Sequence, residues 1–231
     1  MLSFLHSMST DLSPSIHTAK DSQQRRLQER KAASSISVKV CGVDFAVERG
    51  VYDTSIDTEL MAETVRLEPE DIFLEVGCGT GAISILLAKK CLRGVATDIN
   101  PLAVENAAHN AEHLKVKNIS FVLGDCFAET VERFNVLICN PPYNNLPTDD
   151  LIDRMFWDPD DGLKKKFFRE AGKHLLPGGK VYFGWANFGD IDIDLPLKLA
   201  AQNGFELVRT VEKPSQSGKY VFYVMEFKSA G

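Results

Sequence analysis

IFLEVGCGTGA, residues 72–82, is the stretch on which the fold is decided. Ile72–Val76 is a short apolar run closed by a turn signal, as expected of a strand buried on both faces of a parallel sheet. Glycines at a strand-to-helix turn let the backbone approach a ligand closely and present amide N–H groups. Thr80–Cys91 follows with Ile83, Leu86, Leu87 and Cys91 at helical spacing. The same unit recurs downstream. GVATDI (Gly94–Ile99) reads as a second buried strand, closed by Asn100-Pro101, an N-cap residue with proline at the first helical position, and then by a helix over Leu102–Leu114. ISFVL (Ile119–Leu123) and NVLICN (Asn135–Asn140) are further strands, with a short helix expected near Cys126–Arg133 between them. A long loop, Pro141–Asp161, leads to a helix around Leu163–Leu176, the turn Pro177-Gly178-Gly179 and a strand at Lys180–Trp185. A helix over Leu195–Asn203 and strands at Phe205–Val211 and Tyr220–Phe227 complete the pattern. Strands alternating with helices predict an α/β fold with a doubly wound, mostly parallel sheet. Ligands sit outside the carboxyl ends of the strands in such sheets, so the loops after Val76, Ile99, Leu123 and Cys139 are where function is sought.

Upstream, the composition changes near Val38. Residues 1–36 read as a polar, flexible N-terminal extension with a short frayed helix near 20–33, and residues 37–231 as one domain. The sharper alternative is that this helix caps a cofactor or docks a partner. The N-terminus has neither a basic leader nor a sustained apolar segment, and no stretch approaches the ~20 apolar residues of a membrane span. A cytoplasmic protein without a membrane partner is expected. Five scattered cysteines read as free thiols. A formal net charge of -6 lowers the odds of a nucleic-acid partner, which usually demands a basic footprint. No metal site is expected. His109 and His113 share a helix face, but the residues between them are not those of a zinc motif and no third ligand is evident.

The four loops carry the chemistry. Gly77 and Gly79 with Ala82 also fit a dinucleotide-binding pattern, and Asp98, ending the next strand, is placed to reach a ribose. A nicotinamide enzyme is therefore still open at this point. Asp125, in Gly124-Asp125-Cys126-Phe127, can accept from an exocyclic adenine amine, with Phe127 packing on the ring. The fourth loop, Asn140-Pro141-Pro142-Tyr143, decides the matter. Two prolines stiffen it and remove two donors, leaving the Pro141 carbonyl to accept. Asn140 supplies a second acceptor and Tyr143 a flat surface. Together they suit a planar NH2 group held by both hydrogens, with its other face open to an incoming methyl. Asp149, Asp150, Asp158, Asp160 and Asp161 read as an exposed acidic substrate loop, and Phe156, Trp157 and Trp185 as packing residues, one of which could line the cleft.

EVGCGTG, TDIN, GDCF and NPPY, in this order and spacing, resemble the class I S-adenosylmethionine (SAM) dependent methyltransferases with an (N/D)PPY motif, and among these the HemK/PrmC glutamine methyltransferases of release factors. The likeness extends to GVYDTSIDTEL (Gly50–Leu60) and to Asp161–Gly179, and covers about 45–228. The resemblance implies a Rossmann-like, seven-stranded sheet with an antiparallel C-terminal strand. It implies that Glu75, Gly77, Cys78 and Gly79 cradle the methionine part of SAM, that Asp98 and Ile99 meet the ribose, and that Asp125 and Cys126 meet the adenine. Asn140, which also borders the cofactor, and Pro141 would hold the target amide, with Tyr143 packing on it. The sequence departs from the family in two places. Only a short polar tail stands where the bacterial members carry a helical recognition domain, and Thr54 stands where proline is common. The acceptor expected first is a protein glutamine. A small molecule or free amino acid, or an RNA or DNA exocyclic amine, are the alternatives, with a non-catalytic SAM-binding protein last. Likeness to the shorter, eukaryote-type members also implies a small zinc-binding activator subunit.

Overall fold

The strand at Ile72–Val76 lies inside the sheet in the computed structural model, which describes residues 13–127, 130–189 and 192–230. As β3 it pairs in parallel with β4 (Arg93–Asp98) on one side and β6 (Phe134–Cys139) on the other. β5 (Ile119–Leu123) lies outside β4, while β7 (Leu175–Ala186), β9 (Val221–Ser229) and β8 (Phe205–Pro214) continue beyond β6. The seven-stranded order is β5-β4-β3-β6-β7-β9-β8, and only β9 runs antiparallel to its neighbours. This is the expected Rossmann-like architecture with its antiparallel C-terminal strand. The strand order reverses between β3 and β6, which opens a crevice at their carboxyl ends. Register brings the functional loops level there: Val76 stands opposite both Thr97 and Cys139, so Gly77, Asp98 and Asn140 leave the sheet side by side.

Helices α3 (Ala82–Ala88), α4 (Pro101–His113), α5 (Gly162–His174) and α6 (Leu195–Gln202) cover the sheet. Phe73, Leu74, Leu137, Ile138, Val181 and Phe183 are fully buried, each contributing roughly 1.5–3 kcal/mol relative to exposure. Phe168 packs on Phe183 and Phe227, with ring centroids 4.8 and 5.6 Å apart. Asn100 caps α4 as expected, accepting from the Leu102 N–H at 3.1 Å.

Two segments depart from the expected elements. No helix forms over the described part of 126–133: Cys126–Phe127 turn and 130–133 are irregular, while 128 and 129 lie outside the described residues. Leu175, expected at a helix end, instead opens β7 opposite Phe134, and the register shifts before Lys180 meets Val136. Gly178, at φ +77°, lies within that shift.

The N-terminal part lengthens the helix expected near 20–33 and adds a hairpin that the periodicity does not show. Ser13–Ala32 is one helix, α1, and residues 1–12 lie outside the described residues. β1 (Ile36–Val40) and β2 (Val43–Val47) form a separate hairpin around Cys41-Gly42, both at positive φ as a two-residue hairpin turn requires. Buried Asn106 and Asn110 of α4 clasp β2: the Ala46 N–H donates to the Asn110 oxygen and the Glu48 N–H to the Asn106 oxygen, both at 2.9 Å. The Asn110 amide also donates to the Thr80 carbonyl at 3.0 Å, tying the hairpin to the glycine turn. A short helix, α2 (Ile56–Thr64), follows the hairpin. No helix among the described residues is long and apolar enough to cross a membrane.

Candidate functional site

A cleft occupies the crevice between β3 and β6. Glu75, Gly77, Cys78, Gly79, Asp98, Ile99, Asp125, Cys126, Asn140, Pro141 and Tyr143 all line it. The residues singled out in the four loops are thus brought to one place.

On the glycine side, Gly77 and Gly79 adopt φ +81° and +51°, and a Cβ on either would stand in open space. Their hydrogens face room, and the turn itself is fixed from behind. The Gly77 and Cys78 N–H groups donate to the Thr97 carbonyl at 2.8 and 2.9 Å, and the Gly79 N–H donates to Asp98 Oδ2 at 2.9 Å. Gly81 serves packing instead. At φ +78°, a Cβ there would meet the Ala107 Cβ at 2.9 Å, so glycine lets α3 and α4 approach. Asp98 Oδ1 accepts from the Asn100 N–H at 2.9 Å, so both of its oxygens are oriented by the backbone. Glu75 is buried beneath the turn and accepts from the Ser84 hydroxyl. Burial, only partly offset by that bond, pushes its carboxyl up to about 8.

At the β5 end, exposed Asp125 pairs with Lys166 at 2.8 Å. Cys126 is buried, and the loss of solvent pushes its thiol up to about 12, so it is an inert wall. The expected packing of Phe127 on a ligand is not what the chain does. Its ring is buried away from the cleft lining, stacked on His174 at 4.4 Å and on Phe167 at 5.6 Å.

On the NPPY side, a residue outside the four loops proves central. Asp57, buried in the first turn of α2, accepts through one oxygen from the Asn140 Nδ2 at 3.0 Å and from the Tyr143 hydroxyl at 2.9 Å. Burial and the Asp57 charge raise the Tyr143 hydroxyl well above its ordinary range, so it stays a donor. The Tyr143 ring is only 5% exposed and is wedged edge-on against Trp185 and Phe188, both at 5.9 Å.

The 141–161 loop is folded back on itself rather than extended. Asn144 bridges Trp157, and Asp158 and Asp161 are buried, not exposed as the sequence suggests. Both pair at 3.0 Å with Lys164, which is itself fully buried and gives its third donor to the Pro142 carbonyl at 3.1 Å. A buried ammonium needs such full pairing. Asp149 and Asp150 do stay exposed, with Asp150 held by Lys31 of α1. Phe156 and Trp157 pack with Leu27 of α1 and also line the cleft. Gln23 of α1 reaches the cleft wall as well, its amide bonded to that of Asn144 at 2.7 Å. His109 and His113 are exposed.

Comparison with known proteins fits this geometry. The chain shares its fold with the tRNA m1G37 methyltransferase of Methanocaldococcus jannaschii (TM-score 0.62, 20% identity, 87% of this chain and 58% of the other). It shares it also with the ribosomal protein L11 methylase of Lactobacillus delbrueckii (TM-score 0.56, 18% identity, 76% and 78%). The fold is therefore that of the class I methyltransferases. The profile of the Methyltransferase small domain family matches residues 42–221, and the chain belongs to that family, on its HemK/PrmC-like side. Relatives include the release factor glutamine methyltransferases of Cereibacter sphaeroides (33% identical, over 61% of this chain and 55% of the relative) and Aquifex aeolicus (34%, 80% and 62%). A Methanocaldococcus jannaschii protein named for N5-glutamine methylation of proteins is 36% identical, over 62% of this chain and 76% of its own. The chain thus spans between 55% and 76% of the length of these relatives.

Proposed function

We propose that this chain is a SAM-dependent N-methyltransferase whose acceptor is a glutamine side-chain amide of a protein, of the release-factor class named in its relatives. The observation that carries the reading is the meeting, in one cleft, of the glycine turn and Asp98 with Asn140, Pro141 and Tyr143 of the fourth loop. The residues present suit SAM. The open space at Gly77 and Gly79 admits a ligand against the backbone, Asp98 offers oriented carboxylate oxygens to a ribose, and buried Glu75 lies beneath the methionine end. Cys78 would border the methionine part, Ile99 the ribose, and Asp125 with Cys126 the adenine. SAM, when bound, supplies an electrophilic methyl group.

The chain's own part is to hold the acceptor. An amide nitrogen is a weak nucleophile because its lone pair is delocalised. Hydrogen bonds from its two N–H groups to Asn140 and Pro141 raise its electron density and fix its face, with Tyr143 walling the pocket. Such positioning is worth up to ~7–11 kcal/mol in the most favourable cases. The small activator subunit belongs to the same reading. It is supported by the outer edge strand β5, which leaves Val122 and Leu123 exposed.

The test is transfer of labelled methyl from SAM to a purified release factor, with the modified residue located by mass spectrometry. A methylated glutamine is expected, and Asn140→Ala should abolish transfer. Label found only in the RNA or small-molecule fraction of a lysate would overturn the acceptor assignment.

A further inference from the structure

We infer that Asp57 is a positioning residue that sets which end of the Asn140 side chain faces the acceptor, and that Gly184 leaves the room this side chain occupies; the inference rests on the proposed role of Asn140 in holding an NH2 group. A carboxamide has a donor end and an acceptor end of nearly the same shape, and only the oxygen can serve an N–H of the acceptor. Something must therefore break the tie. Asp57 does so, because an ionised carboxylate only accepts: it takes the Asn140 Nδ2 at 3.0 Å and leaves Oδ1 at the other end. The Tyr143 hydroxyl lies 2.9 Å from both Asp57 Oδ2 and Asn140 Oδ1. Its single proton goes to the stronger, charged acceptor, so the Asn140 oxygen keeps its accepting capacity.

Gly184 of β7 leaves the space in which the side chain so oriented lies. A Cβ there would stand 2.1 Å from Asn140 Oδ1, so the carboxamide oxygen occupies the room that a side chain at 184 would need. On the far side of the motif, Lys164 takes the Pro142 carbonyl. The Pro142 carbonyl is thereby taken, and Asn140 Oδ1 and the Pro141 carbonyl are the acceptors that the proposed role leaves to a ligand.

Asp57 has no side-chain partner here beyond Asn140 and Tyr143 among the described residues. Its second oxygen is buried and has no partner among the described residues, so the carboxylate is spent on Asn140 and Tyr143. Burial of a carboxylate so poorly shared is tolerable because Asp57 sits in the first turn of α2, where the helix dipole favours negative charge.

The experiment measures SAM affinity and methyl transfer to a release factor for the full chain carrying Asp57→Leu, Asp57→Asn or Gly184→Ala. Transfer should fall about 10- to 100-fold in Asp57→Leu and Gly184→Ala, the loss expected for one misdirected hydrogen bond to a charged or developing-charge group. Asp57→Asn keeps an oxygen towards Asn140 and should lie between them and the wild type. SAM affinity should stay within about threefold throughout, since the effect is on the acceptor step. Retained transfer in both Asp57→Leu and Gly184→Ala, or a loss of SAM affinity as large as the loss of transfer, would overturn the inference. A ligand-free measurement separates this from the functional reading. The Asn140 side-chain amide protons should resonate downfield in the wild type and move upfield in Asp57→Leu, whatever the acceptor proves to be. An unshifted Asn140 amide in the wild type would sink the positioning role even if glutamine methylation is confirmed.

Discussion

Glycine and carboxylate chemistry divides the work at the level of single residues. Gly77 and Gly81 share a sequence context and a positive φ, yet a Cβ at the first meets nothing and at the second meets Ala107 at 2.9 Å. Gly77→Ala should therefore cost the fold only the ~1–2 kcal/mol of a left-handed alanine. Gly81→Ala should cost about 2–5 kcal/mol, because overpacking of α3 against α4 is added to it. Urea unfolding of the two variants reads the difference. Glu75 makes a pH-dependent prediction. Its folded value, about 8, lies above its ordinary 4.5, so between these limits the folded chain holds a proton that the unfolded chain has lost. Stability of the ligand-free chain must then fall as pH rises through that window. Glu75→Gln should flatten the fall, seen as urea midpoints that differ less between pH ~5 and ~8. A residual slope is expected, because burial raises Asp98 in the same direction.

Elements carry the next layer, and here legibility in the sequence is uneven. The β3–α3 and β4–α4 units are readable because period and punctuation act locally: Ile72–Val76 is uniformly apolar but for Glu75, and Asn100-Pro101 caps its own helix. Asp57 and Lys164 are not readable as site residues. Asp57 meets Asn140 across 83 residues, and Lys164 meets Pro142 across 22, and no periodicity encodes such partners. The acidic run at 158–161 misleads for the same reason: composition suggests solvent, whereas one buried lysine neutralises two of its carboxylates. Phe127 departs from expectation because a turn residue's side-chain direction depends on the core behind it, here Phe167 and His174. The Lys164 cluster gives a test at this scale. Lys164→Met strands two buried carboxylates and should cost about 3–5 kcal/mol. Adding Asp158→Asn and Asp161→Asn should recover much of that in equilibrium unfolding, though Asp158 also accepts from N–H groups in the first turn of α5 and Asp161 from the Asn145 amide.

Across the whole molecule, the doubly wound sheet does one thing that no single motif does: it sets four loop starts level along one edge, so that residues 75–79, 98–99, 125–126 and 140–143 share a cleft. Gln23 of α1 reaches the cleft and Leu27 packs beneath Phe156 and Trp157, while Asn110 links β2 to the glycine turn. The proposed cofactor wall and acceptor wall of this cleft should be energetically separable. Calorimetric titration of the purified chain with SAM tests that division most directly. Saturable binding to a single site is expected, weakened at least ~10-fold by Asp98→Ala and left nearly unchanged by Asn140→Ala. No binding by the wild-type chain, or equal loss in the two variants, would contradict it.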